Sequence, residues 1–136
     1  MTVTTAEYIW LGGNNEFRSK TRTITLPEED WANPDLYEKW NYDGSSTEQA
    51  RGDDSEVIVK PGAIFKDPFK TRFSVLVLCE TYTPDGKPLP NNHRSQAVKL
   101  FNKKLEEKPW YGIEQEFYIM ENSKNFNSET SMKSLG

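Results

Sequence analysis

Apolar and polar positions alternate along several short stretches of the chain, and these stretches set most of the expected elements. Residues 6–11, Ala-Glu-Tyr-Ile-Trp-Leu, read as a strand, and Gly12-Gly13-Asn14-Asn15 is a strong turn signal. Residues 17–25, Phe-Arg-Ser-Lys-Thr-Arg-Thr-Ile-Thr, are rich in β-branched side chains and give a second strand. The two predict an antiparallel hairpin with Arg18, Lys20 and Arg22 on one face, because side chains alternate along a strand. Residues 27–40 read as short helical turns broken at Pro34. Residues 41–55 form a polar stretch expected to be a surface loop, and residues 56–59 a short strand ended by Pro61-Gly62. In residues 74–82 the apolar run Val75 to Cys79 marks a central strand. A turn at Pro84-Asp85-Gly86 follows. Ala97, Val98, Phe101 and Leu105 recur at helical spacing and predict a helix over 92–107, capped by Asn92 and stopped by Pro109. Residues 113–120, Ile-Glu-Gln-Glu-Phe-Tyr-Ile-Met, predict a last strand. Residues 121–136 show no period and read as a disordered or flexible tail.

Composition narrows the class. The 136 residues suit one domain, yet apolar residues make up only 35% and charged residues 28%. Seventeen aromatic residues (four Trp, six Tyr, seven Phe) are more than a disordered chain usually carries. One folded domain with some partner-dependent sequence is therefore expected. No run of ~18 apolar residues is long enough to span a bilayer, and the first residues lack the pattern of a secretory signal, so no membrane partner is expected. A single cysteine, Cys79, and a single histidine, His93, exclude a disulfide scaffold, a Cys-built zinc site and a multi-His site. The net charge of −4 gives no basic field for nucleic acid. The expected setting is cytoplasmic, and any metal site would be built from carboxylates.

Two constellations could carry chemistry. In Glu114-Gln115-Glu116, strand alternation puts both glutamates on one face, with Cα atoms ~6.6–6.8 Å apart. Such carboxylates repel unless a cation lies between them, and oxygen ligands suit Mg²⁺ or Mn²⁺. The plainer alternative is an acidic, solvated strand face. The second is Asp43-Gly44-Ser45-Ser46-Thr47, which could accept hydrogen bonds from an amine; on composition alone it reads as an Asx-turn. Lys20-Thr21-Arg22-Thr23 reads as a charge device protecting an edge strand. Cys79 reads as a buried inert thiol, His93 as a surface residue, and Trp110-Tyr111 as packing aromatics.

The stretches AEYIWLGG, FRSKTRT, KWNYDGSSTEQARGDDSEVIVKPGAIFKDPF, VLVLCETYTPDGKPLPNNHR and PWYGIEQEFYIM resemble, in order and spacing, the N-terminal part of eukaryotic-type glutamine synthetase. The resemblance covers residues 6 to 120, and WNYDGSST together with EQEF is very specific. It implies an α+β fold: a β-grasp-like N-terminal domain over residues 1–90, then the first helix and strand of a catalytic domain over 91–120, truncated after the EQE strand. Residues 121–136 would be a divergent tail. It implies the ATP-dependent ligation of ammonia to glutamate, with Mg²⁺ or Mn²⁺ as cofactor and ATP as co-substrate. Glu114 and Glu116 match two metal ligands. Asp43 matches the aspartate lent to a neighbouring subunit's site, where it binds ammonium and accepts its proton, and Ser45 and Ser46 belong to the same substrate loop. Other synthetase subunits in a ring are the implied partners. The remaining carboxylate ligands, a metal-binding His, Arg clamps and most of the ATP site lie beyond the EQE strand in that family. An inactive module that binds or modulates full-length rings is the alternative.

Overall fold

The hairpin expected at the start of the chain forms, and it is longer than the apolar alternation indicated. In the computed structural model, which describes residues 1–27, 29–70 and 72–116, strand β1 runs Thr2–Leu11 and strand β2 Phe17–Leu26. They pair antiparallel from Thr2↔Leu26 to Leu11↔Phe17. The Thr and Val residues at positions 2–5 are β-branched, which extends the first strand. The turn closes through the Gly12 N–H donating to the Glu16 carbonyl at 2.8 Å, with Asn15 at φ 61°. Asn tolerates that left-handed conformation better than most residues.

Strands β3 (Trp40–Asp43), β4 (Glu56–Lys66) and β5 (Ser74–Tyr82) complete a five-stranded sheet in the order β2-β1-β5-β4-β3. All its pairs are antiparallel except β1 with β5, which run parallel. The central position expected for residues 74–82 is thus observed. Helix α1 spans His93–Asn102, and the Asn92 side chain caps it by accepting from the Ser95 N–H at 3.1 Å. The fold is a small α+β domain.

Five expectations need correction. The stretch 41–55 is not all loop, because Trp40 and Tyr42 alternate with Asn41 and Asp43 and so allow β3 to pair with β4. Strand β4 does not stop at Pro61-Gly62: a register shift between Pro61 and Ala63 absorbs the proline, and pairing with β5 resumes at Ala63↔Leu78. The helix is shorter than 92–107. It ends at Asn102, with Leu100 and Phe101 in its last turn exposed rather than packed on the sheet, and a separate 3₁₀ turn occupies Leu105–Glu107. Finally, residues 113–116 form no strand; a strand needs a partner for its N–H and C=O groups, and Ile113, Glu114 and Glu116 are exposed instead. Residues 117–120 and the tail 121–136 lie outside the described residues. The helical turns expected in 27–40 reduce to one 3₁₀ turn at Pro34–Leu36, capped by Asn33.

The core lies on one face of the sheet. Ala6, Tyr8 and Trp10 of β1 meet Val59 and Ile64 of β4, Val75, Val77 and Cys79 of β5, and Leu26 and Tyr37. The sheet curls around this core. Strands β1 and β3 are separated by two others, ~14 Å in a flat sheet by strand spacing. Yet the Trp10 and Tyr42 rings stack with centroids 4.5 Å apart, and Tyr8 meets Trp40 edge-on at 5.5 Å. The chain divides into two compact units, Met1–Lys104 with the sheet and α1, and Leu105–Gly136.

Candidate functional site

The Asp43 loop grows directly out of β3. Alternation turns Trp40 and Tyr42 towards the core and leaves Asn41 and Asp43 exposed, with Asp43 in register with Glu56 of β4. The strand ends because Gly44 opens a 3₁₀ turn, Gly44–Thr47. Asp43 caps that turn: its Oδ1 accepts from the Ser45 N–H at 2.9 Å and from the Ser45 hydroxyl at 2.6 Å. The Ser46 hydroxyl donates to the Asp43 carbonyl at 3.2 Å. The Asx-turn read from composition is therefore present, and it presents the carboxylate at the surface. The structure brings Asp43, Ser45 and Ser46 together.

Two other segments hold this loop in place. The Gly13 N–H donates to the Thr47 carbonyl at 2.8 Å. Gln49 accepts from the Tyr42 hydroxyl at 2.5 Å and donates through Nε2 to the Leu11 carbonyl at 2.9 Å. Gln49 Nε2 also donates to Asn91 Oδ1 at 3.4 Å, and Asn91, just before α1, donates to the Gly12 carbonyl at 2.7 Å. The loop is thus tied to the β1–β2 turn and to the approach to α1. Sequence reading missed Gln49, Tyr42 and Asn91 as loop anchors; their partners are 38 to 79 residues away for the two backbone contacts.

The side chains of β2 grip the strand that carries the loop. Arg18, Lys20 and Arg22 do share a face, but it is the face turned to the core, since they pair in register with Trp10, Tyr8 and Ala6. Lys20 Nζ lies 3.6 Å from the Trp40 ring centroid and donates to the Asn41 carbonyl at 2.8 Å. Arg22 pairs with Glu38 at 3.1 Å, and the Tyr8 hydroxyl donates to the Glu38 carbonyl at 2.9 Å. β2 is an edge strand, as expected, but its cations are not deployed along the free edge. The curl of the sheet brings β3 beneath them. Partial burial, with Arg22 alongside, holds the Lys20 ammonium below its usual range.

Hydrogen bonds from the Ser45 hydroxyl and N–H hold the Asp43 carboxyl below its ordinary value of 3.8. A depressed folded-state value favours the ionised form. Its contribution is complete above the ordinary value and is lost as pH falls through the folded one. Carbon NMR of the Asp43 carboxyl is expected to give a midpoint below 3.8, and Ser45→Ala to move it up towards that value. An unchanged midpoint in the variant would refute this account.

Glu114 and Glu116 belong to the second unit, Leu105–Gly136. Both are exposed, in a segment without regular structure, where strand alternation does not fix them on one face. Among the described residues no group of three or more His, Cys, Asp or Glu side chains could hold a metal ion. Two carboxylates do not make the six-oxygen set that Mg²⁺ or Mn²⁺ needs, so the described residues do not fit a complete site. Cys79 is buried, and burial pushes its thiol up to about 12, as suits an inert core cysteine. His93 is exposed at the start of α1, and Trp110 and Tyr111 are exposed.

No protein-family model matches the chain. Individual proteins do. The chain is 55% identical over 124 residues to a chloroplastic glutamine synthetase of Daucus carota, covering 89% of this chain and 28% of that protein. A chloroplastic glutamine synthetase of Zea mays is likewise 55% identical over 124 residues, 89% of this chain and 29% of that protein. Glutamine synthetase cytosolic isozyme 2 of Vitis vinifera is 54% identical over 121 residues, 87% of this chain and 33% of that protein. The chain therefore spans a third or less of the length of these curated relatives, which include both chloroplastic and cytosolic proteins. Among the described residues no helix is long and apolar enough to cross a membrane. Matched along nearly all of its own length at this level of identity, the chain belongs to the glutamine synthetase family, over the N-terminal part of that enzyme.

Proposed function

We propose that the chain serves the ATP-dependent ligation of ammonia to glutamate as a partial-site module, acting beside a longer synthetase polypeptide in the cytoplasm. The observation that carries this reading is the Asp43 loop: a carboxylate kept ionised by hydrogen bonds from Ser45, in a loop braced by the β1–β2 turn and the approach to α1. An exposed carboxylate of this kind can hold an ammonium ion by charge and hydrogen bonding, then accept a proton as the amine forms. Ser45 and Ser46 fix its orientation. Glu114 and Glu116 would add two oxygen ligands to a Mg²⁺ or Mn²⁺ site whose other ligands come from elsewhere, and a bound divalent ion supplies charge neutralisation to phosphoryl groups. ATP and glutamate would be held by that other polypeptide. The strand order β2-β1-β5-β4-β3, with β1 and β5 parallel at its middle, supports a β-grasp assignment for the sheet unit.

The short match to each relative favours a second reading, an inactive module that joins or modulates full-length synthetase rings. Both readings predict the same behaviour of the isolated chain. It should show no γ-glutamyl transfer with Mg²⁺ or Mn²⁺, and titration calorimetry should find only weak Mn²⁺ binding, because too few ligands are present. Robust transfer by the purified chain, or tight Mn²⁺ binding, would overturn the partial-site assignment.

A further inference from the structure

Alternation along β3, β4 and β5 sorts one set of side chains to the face away from the core. Glu56, Ile58 and Lys60 of β4 lie there, because Val57 and Val59 between them are buried in the core. Ile58 stands in register with Asn41 of β3 on one side and with Tyr82 of β5 on the other. The turn at residues 83–86 continues from β5, closed by the Gly86 N–H donating to the Thr83 carbonyl at 2.9 Å. Strands and turn together form an open groove of about 620 Å³, with Ile58, Tyr82 and Pro84 as its apolar part.

One end of the groove is cationic. The β3–β4 register pairs Trp40 with Val59, so Lys39 stands opposite Lys60 one step earlier, and both lysines line the groove. Like charges directly opposite each other on neighbouring strands are unfavourable. Among the described residues neither lysine has a carboxylate within ion-pair distance. Glu80, in register with Lys60, already pairs with Arg94 at 3.4 Å and accepts from the Tyr82 hydroxyl at 2.5 Å. Glu56 accepts from the Asn41 amide at 2.6 Å and lies ~13 Å from Lys60 along the strand. The lysine pair is thus left without a counter-charge.

We infer that this groove is a binding site for a small organic anion, whose carboxylate or phosphate sits between Lys39 and Lys60 while a flat apolar body covers Ile58 and Tyr82. An oxyanion there turns a repulsive pair into two charge-assisted contacts. Ile58 and Tyr82, both half-buried, supply apolar contact that a bare inorganic ion cannot use. Glu56, held by Asn41 at the other end, repels a second negative group, so a ligand anionic at one end only is favoured. The inference uses none of Asp43, Glu114 and Glu116, so it stands or falls independently of the partial-site reading.

The test is titration of the isotope-labelled chain with sodium naphthoate at low salt, where charge contacts are least screened, read by amide NMR. Saturable shifts are expected at Ile58, Lys60 and Tyr82, with a Kd of roughly 1 mM, the strength that ordinary ligand efficiency gives a molecule of about thirteen non-hydrogen atoms. Replacing both lysines, Lys39→Gln with Lys60→Gln, is expected to weaken binding about tenfold or more. Both lysines are exposed, so the variant is expected to stay folded, and circular dichroism verifies it. Naphthalenemethanol, the neutral counterpart, and inorganic phosphate, which has no apolar body, should each bind about tenfold more weakly than naphthoate. Naphthyl phosphate is the parallel ligand: whichever of the two aromatic anions binds more tightly identifies the preferred oxyanion, and either supports the site. No saturable shift with either anion, equal binding of the neutral alcohol or of inorganic phosphate, or an unaffected lysine variant would each overturn the inference. So would shifts centred on Leu76 and Leu78, which line a separate apolar groove further along the outer face.

Discussion

Replacing Tyr8 by alanine is expected to remove about 3–5 kcal/mol of folding stability, the usual cost of truncating a large buried aromatic. Tyr8 is 0% exposed in the middle of β1, meets Trp40 edge-on, and donates its hydroxyl to the Glu38 carbonyl. The truncation opens a cavity at the centre of the curl and frees the segment that leads into β3. Against a total of ~5–15 kcal/mol for a domain, such a loss leaves the sheet unit marginal. Urea unfolding followed by circular dichroism measures it. Tyr8→Phe separates the two contributions, because it keeps the ring and removes only the hydrogen bond, at a cost of about 1 kcal/mol. A Tyr8→Ala loss no larger than that of Tyr8→Phe would show that the ring contributes nothing to holding the curl.

The second large effect is expected at Gly44, and it concerns the site more than the core. A Cβ at this position would lie 2.5 Å from Val57 Cγ2 and 3.0 Å from the Ala50 Cβ. Val57 is 1% exposed and cannot move aside freely. Gly44→Ala is therefore expected to cost about 1–3 kcal/mol by overpacking. The clash falls on the residue next to Asp43, so the loop shifts and the Asp43 carboxyl loses its depressed titration, which the same NMR measurement reads. Val57→Ala should return the space. The double variant Gly44→Ala with Val57→Ala is expected to be less destabilised than the sum of its two parts, the signature of groups in contact. Additive losses would mean that Val57 does not oppose the new methyl group.

Local pattern was enough wherever an element depends on neighbours in the chain. The β1–β2 hairpin, the central apolar strand β5, the Asn92 cap of α1 and the Asp43 turn all follow from alternation, a turn-forming residue or a capping side chain within four residues. Pattern failed where pairing at a distance decides. Polar composition hid β3, whose Trp40 and Tyr42 find their partners in β1 rather than beside them. Pro61-Gly62 looked like the end of β4, but pairing with β5 on both sides of a bulge carries the strand through. Strand-like spacing at Ile113 to Glu116 produced no strand, since alternation cannot supply a partner.

Sequence by itself determined the family of the chain, the α+β character of its sheet unit and the identity of the candidate residues Asp43, Ser45, Ser46, Glu114 and Glu116. Their types and order are covalent facts, and the capping of a turn by Asp43 is a local interaction. Only the tertiary structure decided that Lys20 and Arg22 reach over Trp40, that Gln49 and Asn91 brace the loop, and that Leu76 and Leu78 stay half-exposed on an apolar outer face. Each of these depends on how far the sheet curls and on which strands become neighbours. Those are set by packing the whole core at once, through contacts between residues that the chain itself keeps far apart.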